Sequence, residues 1–235
     1  MGTSRVLIIA GMVWTLFMGG RAVAGDPVHQ ASISPRIGSS PLLEPATGRF
    51  LVARRRLTGY NFMRTVVYLL HHDEDGTQGV IINRPIGIRL SEAVENIDHE
   101  AGDSHAIYFG GPVGLSRIIM LIRNTKESPL VDKIDNNVYL SMDRRIMNKM
   151  LNDEKPGNEL HFYLGHAGWG RGQLAEEIDR GSWHVIEGDT NTIFGTDLRT
   201  LWKRLIRQLE PTGIQVKNRF EPVLGTDRYD LQAEG

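Results

Sequence analysis

Residues 65–70 (TVVYLL) place the tightest constraint on how this chain can fold. The run is β-branched, aromatic and aliphatic, and its apolar character is continuous rather than alternating. It therefore reads as a strand buried on both faces, which needs a layer of structure on each side. Asp73-Glu74-Asp75-Gly76 breaks the pattern as a turn, and residues 79–82 (GVII) return as the partner strand. The pair makes a hairpin whose loop is longer than two residues. Residues 50–53, 106–109, 118–122, 160–164 and 183–187 read as further strands. Helices are expected over 90–97, over 142–151 with Asp143 as N-cap, over 172–180, and over 198–209, where Pro211 halts the amphipathic repeat. Hairpin strands with helices inserted between them point to an α+β fold rather than a regular βαβ array.

The ends differ from this middle. Residues 1–24 read as an export leader. Arg5 precedes fifteen uncharged residues from Val6 to Gly20, and small residues at Ala22 and Ala24 place cleavage between Ala24 and Gly25. The apolar run is shorter than the ~20 residues of a membrane span, so no stable anchor is expected after cleavage. The expected location is periplasmic or secreted. The other readings are an uncleaved N-terminal anchor, or a misassigned start codon on a cytoplasmic protein. Residues 25–41, rich in Ser, Pro and Gly, read as a disordered linker, residues 42–210 as one domain, and residues 211–235 as a polar extension.

Charge and composition then exclude several functions. Without its leader the chain carries 25 basic and 28 acidic residues, so strong nucleic-acid binding is not expected. The absence of cysteine excludes disulfides, thiolate metal sites and a thiol nucleophile.

The segment Gly165-His166-Ala167-Gly168-Trp169-Gly170-Arg171-Gly172-Gln173-Leu174 draws attention because it reads as a glycine-dense loop between a strand and a helix, where backbone N–H groups can hold an anion. The dinucleotide fingerprint fails, since Gln173 stands where the third glycine is required, even though Glu187 lies at the spacing of a ribose-binding acid. The phosphate-loop motif fails for want of Lys-Ser or Lys-Thr. Gly168 is read as a position with φ above zero. On the following helix Gln173 and Glu177 share a face, Leu174 and Ile178 turn to the core, and Glu176 with Arg180 makes a surface pair. His71 and His72 beside Asp73 and Asp75, with His161 and His166, offer ligands that suit zinc or manganese. Adjacent His71 and His72 point to opposite faces of a strand, however, so a hydrogen-bonded structural role for His72 is preferred and no metal or cofactor is expected. No G-x-S-x-G elbow is present, and Ser91, Ser116 and Ser141 read as helix or turn residues.

Three blocks in order, TVVYLLHHDEDGTQGVIINRP at 65–85, IYFGGPV at 107–113 and GHAGWGRGQL at 165–174, resemble the AlgH/YqgE family of bacterial proteins. The resemblance extends through Glu177, Trp183 and Ile193-Phe194 and covers about residues 42–210. The chain departs from the family in having His166 in place of the usual tyrosine, Leu70 in place of a frequent cysteine, and an export leader. The resemblance implies a single α+β domain with a bifurcated mixed sheet curled into a pseudo-barrel and flanked by helices. It also implies a regulator, the family being named for alginate production, and it brings no enzymatic mechanism. Ligand-binding candidates are His72, Asn83, Arg84, Gly110, Gly111, His166, Trp169, Gln173 and Glu177. Most of the glycines and prolines of the motifs read as architectural, while the polar residues read either as a shared binding surface or as a buried hydrogen-bond network. The favoured function is a non-catalytic binding or regulatory protein with an unidentified protein or small-molecule partner. The alternative is a hydrolase or metal-assisted enzyme using His and Glu around the glycine segment. A transcription factor that contacts DNA directly ranks last.

Overall fold

The computed structural model describes residues 43–211, apart from 96, 98–101, 126, 127, 136, 153–158 and 196. The leader, the Ala24–Gly25 junction, the linker and residues 212–235 lie outside the described residues. Among the described residues ten strands are present: β1 Phe50–Ala53, β2 Val66–His72, β3 Gly76–Ile81, β4 Pro85–Arg89, β5 Ala106–Phe109, β6 Val113–Arg123, β7 Asp132–Asp135, β8 Val138–Ser141, β9 Leu160–Gly170 and β10 Trp183–Ile186. The helices are α1 Leu90–Ala93, α2 Arg144–Asn152, α3 Gln173–Asp179, α4 Thr190–Ile193 and α5 Leu201–Leu209.

The strands form one sheet in the order β10-β1-β2-β3-β9-β6-β8-β7, and it forks at β9. One edge of β9 serves two partners: residues 167–170 pair antiparallel with β3, and residues 162–164 pair parallel with β5, which carries β4. The other edge pairs antiparallel with β6. The β5–β9 ladder is the parallel one among otherwise antiparallel pairings, so the sheet is mixed as well as bifurcated. This is a curled α+β half-barrel.

Both faces of β1–β2–β3 are covered, as the continuous apolar run at 65–70 requires. Phe50, Val52, Val66, Tyr68, Leu70 and Val80 face an inner core closed by Ile193, Phe194, Leu201 and Ile206 from α4 and α5. Their neighbours Leu51, Ala53, Val67, Leu69 and Ile81 face an outer core shared with Leu174 of α3, Trp169 and Trp183. A second outer core packs α1 and α2 against β5, β6 and β9 through Leu90, Ile107, Met120, Met147 and Phe162. Burying alternate residues of one strand in two different cores ties the layers together hydrophobically.

Several elements differ from the sequence reading. The segment at 165–172 is not a loop: β9 continues to Gly170, because Gly168 and Gly170 pair with Gln78 and Gly76 of β3. The helix expected over 90–97 ends at Ala93, where Val94 turns extended. The strand expected at 118–122 begins at Val113 and contains a bulge. Between the Val113–His166 and Ile118–Leu164 pairs, β6 has four residues and β9 has one. β4, β7, β8 and α4 are additional elements, and β10 stops at Ile186, one residue short of Glu187.

Candidate functional site

Trp169 near the end of β9 and Trp183 at the start of β10 are 4% and 2% exposed, and both aim their indoles at α3. Glu177, one turn into that helix and half-buried, receives them. Its Oε2 accepts from Trp169 Nε1 at 3.0 Å and from Trp183 Nε1 at 2.8 Å. Its Oε1 accepts from Gln173 Nε2 at 3.3 Å, while Gln173 Oε1 takes the Gly170 N–H at 3.1 Å. Gly172, at φ +73, makes the short turn that brings α3 back over the strand it follows. The carboxylate is thus a hub between a strand, a helix and a second strand, and hydrogen bonds to a charged acceptor are among the stronger ones.

Over the indoles lies the connection between β1 and β2, residues 54–65, which we term the strap. Phe62 stacks on Trp169 and meets Trp183 edge-on, each with ring centroids 5.7 Å apart. Asn83 and Arg84 fasten one side. Asn83 Oδ1 accepts from Val66 N at 2.8 Å and its Nδ2 donates to the Arg64 carbonyl at 3.0 Å. These two bonds bracket Thr65 and hold the carbonyl of Arg64, which has φ +58, a conformation uncommon outside glycine. Arg84 donates to the carbonyls of Asn61 at 2.8 Å and Met63 at 3.0 Å and lies over the Phe109 ring. Burial lowers the Arg84 pKa from its ordinary value and nearby Tyr60 opposes that shift. Arg56 fastens the other side by donating to the carbonyls of Gly181 and Arg180 at 2.8 and 2.6 Å. The large hydrophobic side chains that the strap presents outward are Tyr60, 86% exposed, and Met63, 39% exposed, among exposed Arg55, Thr58, Asn61 and Arg64.

The remaining candidates divide. Gly110 and Gly111 are buried where the β5–β6 connection crosses β9: a Cβ on Gly110 would lie 2.2 Å from the Gly165 oxygen, and one on Gly111 2.2 Å from the His166 carbonyl carbon. Gly165 itself holds φ +69. Gly168 does not have a positive φ, and a Cβ there meets nothing closer than 3.9 Å, which corrects the sequence expectation at that residue. His166 is half-buried in this crossing, its pKa lowered by burial and by Arg117 and opposed by a hydrogen bond that the ring makes to the Val113 backbone carbonyl. His72 bonds Thr77 rather than Glu177, its Nδ1 2.7 Å from Thr77 Oγ1, and Thr77 in turn pairs with Trp169 across the β3–β9 ladder. Its neighbour His71 bonds Asp73 at 2.8 Å, and Glu187 pairs with Arg49 at 3.1 Å. Among the described residues no three His, Asp or Glu side chains converge in a way that could hold a metal ion.

Asn83, Arg84, Trp169, Gln173 and Glu177 therefore converge on one assembly, and His72, His166 and the Gly110-Gly111 pair do not join it. Sequence reasoning missed Phe62 and Arg56, whose roles depend on contacts across the fold. It treated Trp183 only as a family match, although it is a full partner of the carboxylate. A tryptophan at the predicted start of a strand beside an acidic helix was the available signal.

Comparison with known proteins accounts for the shared residues. The sequence profile described as AlgH-like matches residues 50–213. A UPF0301 protein of Streptomyces avermitilis is 32% identical over 167 residues, covering 69% of this chain and 86% of its own. A UPF0301 protein of Xanthomonas axonopodis pv. citri is 33% identical over 168 residues, covering 70% and 89%. The solution structure of the AlgH protein from Pseudomonas aeruginosa superposes with a TM-score of 0.62 at 26% identity, over 74% of this chain and 92% of that one. A crystal structure from Corynebacterium diphtheriae, 22% identical with a TM-score of 0.56 over 71% and 88% of the two chains, shares the fold. The profile spans most of the chain, including the residues that build the hub, the strap and the glycine crossing, so this protein belongs to the AlgH-like family.

Proposed function

We propose that this AlgH-like protein is exported and acts as a non-catalytic binding protein, with the strap as its contact surface. The observation that carries the reading is how the family's polar side chains are spent. Both Glu177 oxygens are occupied by internal donors, and Asn83 and Arg84 are committed to the backbone of residues 61–66. A general acid or base needs an oxygen or nitrogen free to reach a substrate proton. These groups instead hold a loop in one conformation, and a loop fixed in advance loses less entropy when a partner binds. Tyr60 is the kind of side chain that anchors interfaces, large, amphipathic and with few rotamers. A partner protein with an apolar notch and a hydrogen-bond acceptor for the Tyr60 hydroxyl fits this surface. The leader residues support export, and the slightly acidic remainder of the chain gives no support to direct DNA contact.

The test is complementation of a deletion strain by the Tyr60→Ser, Met63→Ser double variant. Loss of function with an unchanged melting temperature supports the reading, and full function overturns it.

A further inference from the structure

Away from the strap, a groove of about 610 Å3 opens where the end of α1, the β6 bulge and the start of α2 meet. None of its lining residues belongs to the strap or the hub. Its size lies within the ~300–1,000 Å3 typical of small-molecule sites. The floor is apolar: Met120 and Met147 are 2% and 6% exposed, Ile118 is half-buried beside them, and Met142 stands exposed at the rim. Methionine side chains adapt to ligands of irregular shape.

Two guanidinium groups flank this floor, Arg117 from the bulge and Arg144 from the first turn of α2. Among the described residues neither forms an ion pair with a carboxylate. Arg144 donates to the Glu95 backbone carbonyl, and exposed Arg117 forms no ion pair among the described residues. The nearby acid Asp143 is committed to Arg145 at 2.7 and 3.1 Å, and that pairing holds its carboxyl down at about 2. Glu95 leaves one acidic side chain at the rim against two arginines. The glycine crossing has a consequence here as well. By letting the β5–β6 connection pass tightly over β9, Gly110, Gly111 and Gly165 set the position of the bulge that carries Arg117.

We infer that this groove binds a small amphiphilic carboxylate, with its apolar body over Met120 and Met147 and its head between Arg117 and Arg144. A planar carboxylate matches the guanidinium fork, and the apolar floor selects against short, fully polar anions.

The experiment is calorimetric titration of the protein, purified from its native host, with decanoate below its critical micelle concentration. Decanol, acetate and phosphatidylglycerol vesicles are titrated in parallel. The inference expects saturable one-to-one binding of decanoate, at least about tenfold weaker binding of decanol, and none of acetate. Arg117→Ala, a change at an exposed position, should weaken decanoate binding about tenfold or more with an unchanged melting curve. Absence of saturable decanoate binding, equal affinity for decanol, or an Arg117→Ala protein that binds as before would overturn it. So would Arg117-dependent binding to vesicles without binding of free decanoate, which would assign the arginines to a membrane surface.

Discussion

Trp183 donates its indole N–H to Glu177 Oε2 at 2.8 Å, the same oxygen that accepts from Trp169 at 3.0 Å. One carboxylate oxygen thus satisfies both buried indole N–H groups. Glu177→Ala should orphan both donors, and a buried polar group left unsatisfied costs about 1–3 kcal/mol. Urea unfolding should show a loss of about that size for each indole. Glu177→Gln retains an acceptor oxygen and should lose less.

The glycines should separate sharply on substitution. Gly168→Ala places a Cβ at ordinary contact distance from the His166 ring, 3.9 Å, without a positive φ, and should shift the melting temperature little. Gly111→Ala meets His166 backbone at 2.2 Å and sits at φ +150, so it should prevent stable folding or lower stability by several kcal/mol. Thermal unfolding of the two variants side by side checks the order, and equal effects would contradict the crossing described here.

Stability should depend on pH through His161. Burial pushes its pKa down to about 4, His105 acts in the same direction and Glu159 opposes them. The ring is stacked on Tyr108 and edge-on to Phe194. In the unfolded chain the ordinary value is ~6.5. Between these pH values the unfolded state binds a proton that the folded state refuses, so stability rises with pH across about 4 to 6.5 and falls as the solution is acidified through that window. His166, also lowered, contributes with the same sign. His161→Gln should flatten the dependence of urea midpoint on pH, whereas Asp73, Asp143 and Asp189, all held below the usual carboxylate value, govern the more acidic range.

Export is checked by mass. The mature protein should begin at Gly25 and be recovered from the periplasmic or secreted fraction. A soluble cytoplasmic protein retaining residues 1–24 would restore the cytoplasmic reading.

How far the sequence could be read follows from where each signal resides. Residues 65–70 announced a strand covered on both faces because the side chains from Val66 to Leu70 are aliphatic or aromatic without interruption, and the structure buries alternate members of these five in different cores. The Gln173–Glu177 pair was legible from helical spacing, and the hydrogen bond at 3.3 Å reflects it. The end of β9 was misread because Gly165, Gly168 and Gly170 have the composition of a loop. Of the three, Gly165 is the one that close approach requires, since a Cβ there would lie 2.6 Å from the Gly111 oxygen, and on β3 a Cβ at Gly76 would lie 2.6 Å from the Trp169 oxygen. β8 was missed because four residues, Val138–Ser141, give too short a period to read, although all four are buried. The strap left no trace, since residues 54–64 have neither periodicity nor turn signature and are ordered by Asn83, Arg84 and Phe62 reaching across the fold.

The central claim is that the family's polar residues hold the strap rather than perform chemistry, and amide hydrogen exchange in Arg84→Ala measures it most directly. Phe62 and Met63 donate their N–H groups to the Gly59 carbonyl at 3.0 and 2.8 Å, within the segment that Arg84 fastens. Removing two charge-assisted hydrogen bonds should speed exchange at these amides about tenfold or more while β2 stays protected. Complementation should weaken in parallel with the loss of protection. Unchanged exchange at Phe62 and Met63 in a variant that has lost function would contradict the account, because Arg84 would then be acting on a ligand or substrate directly.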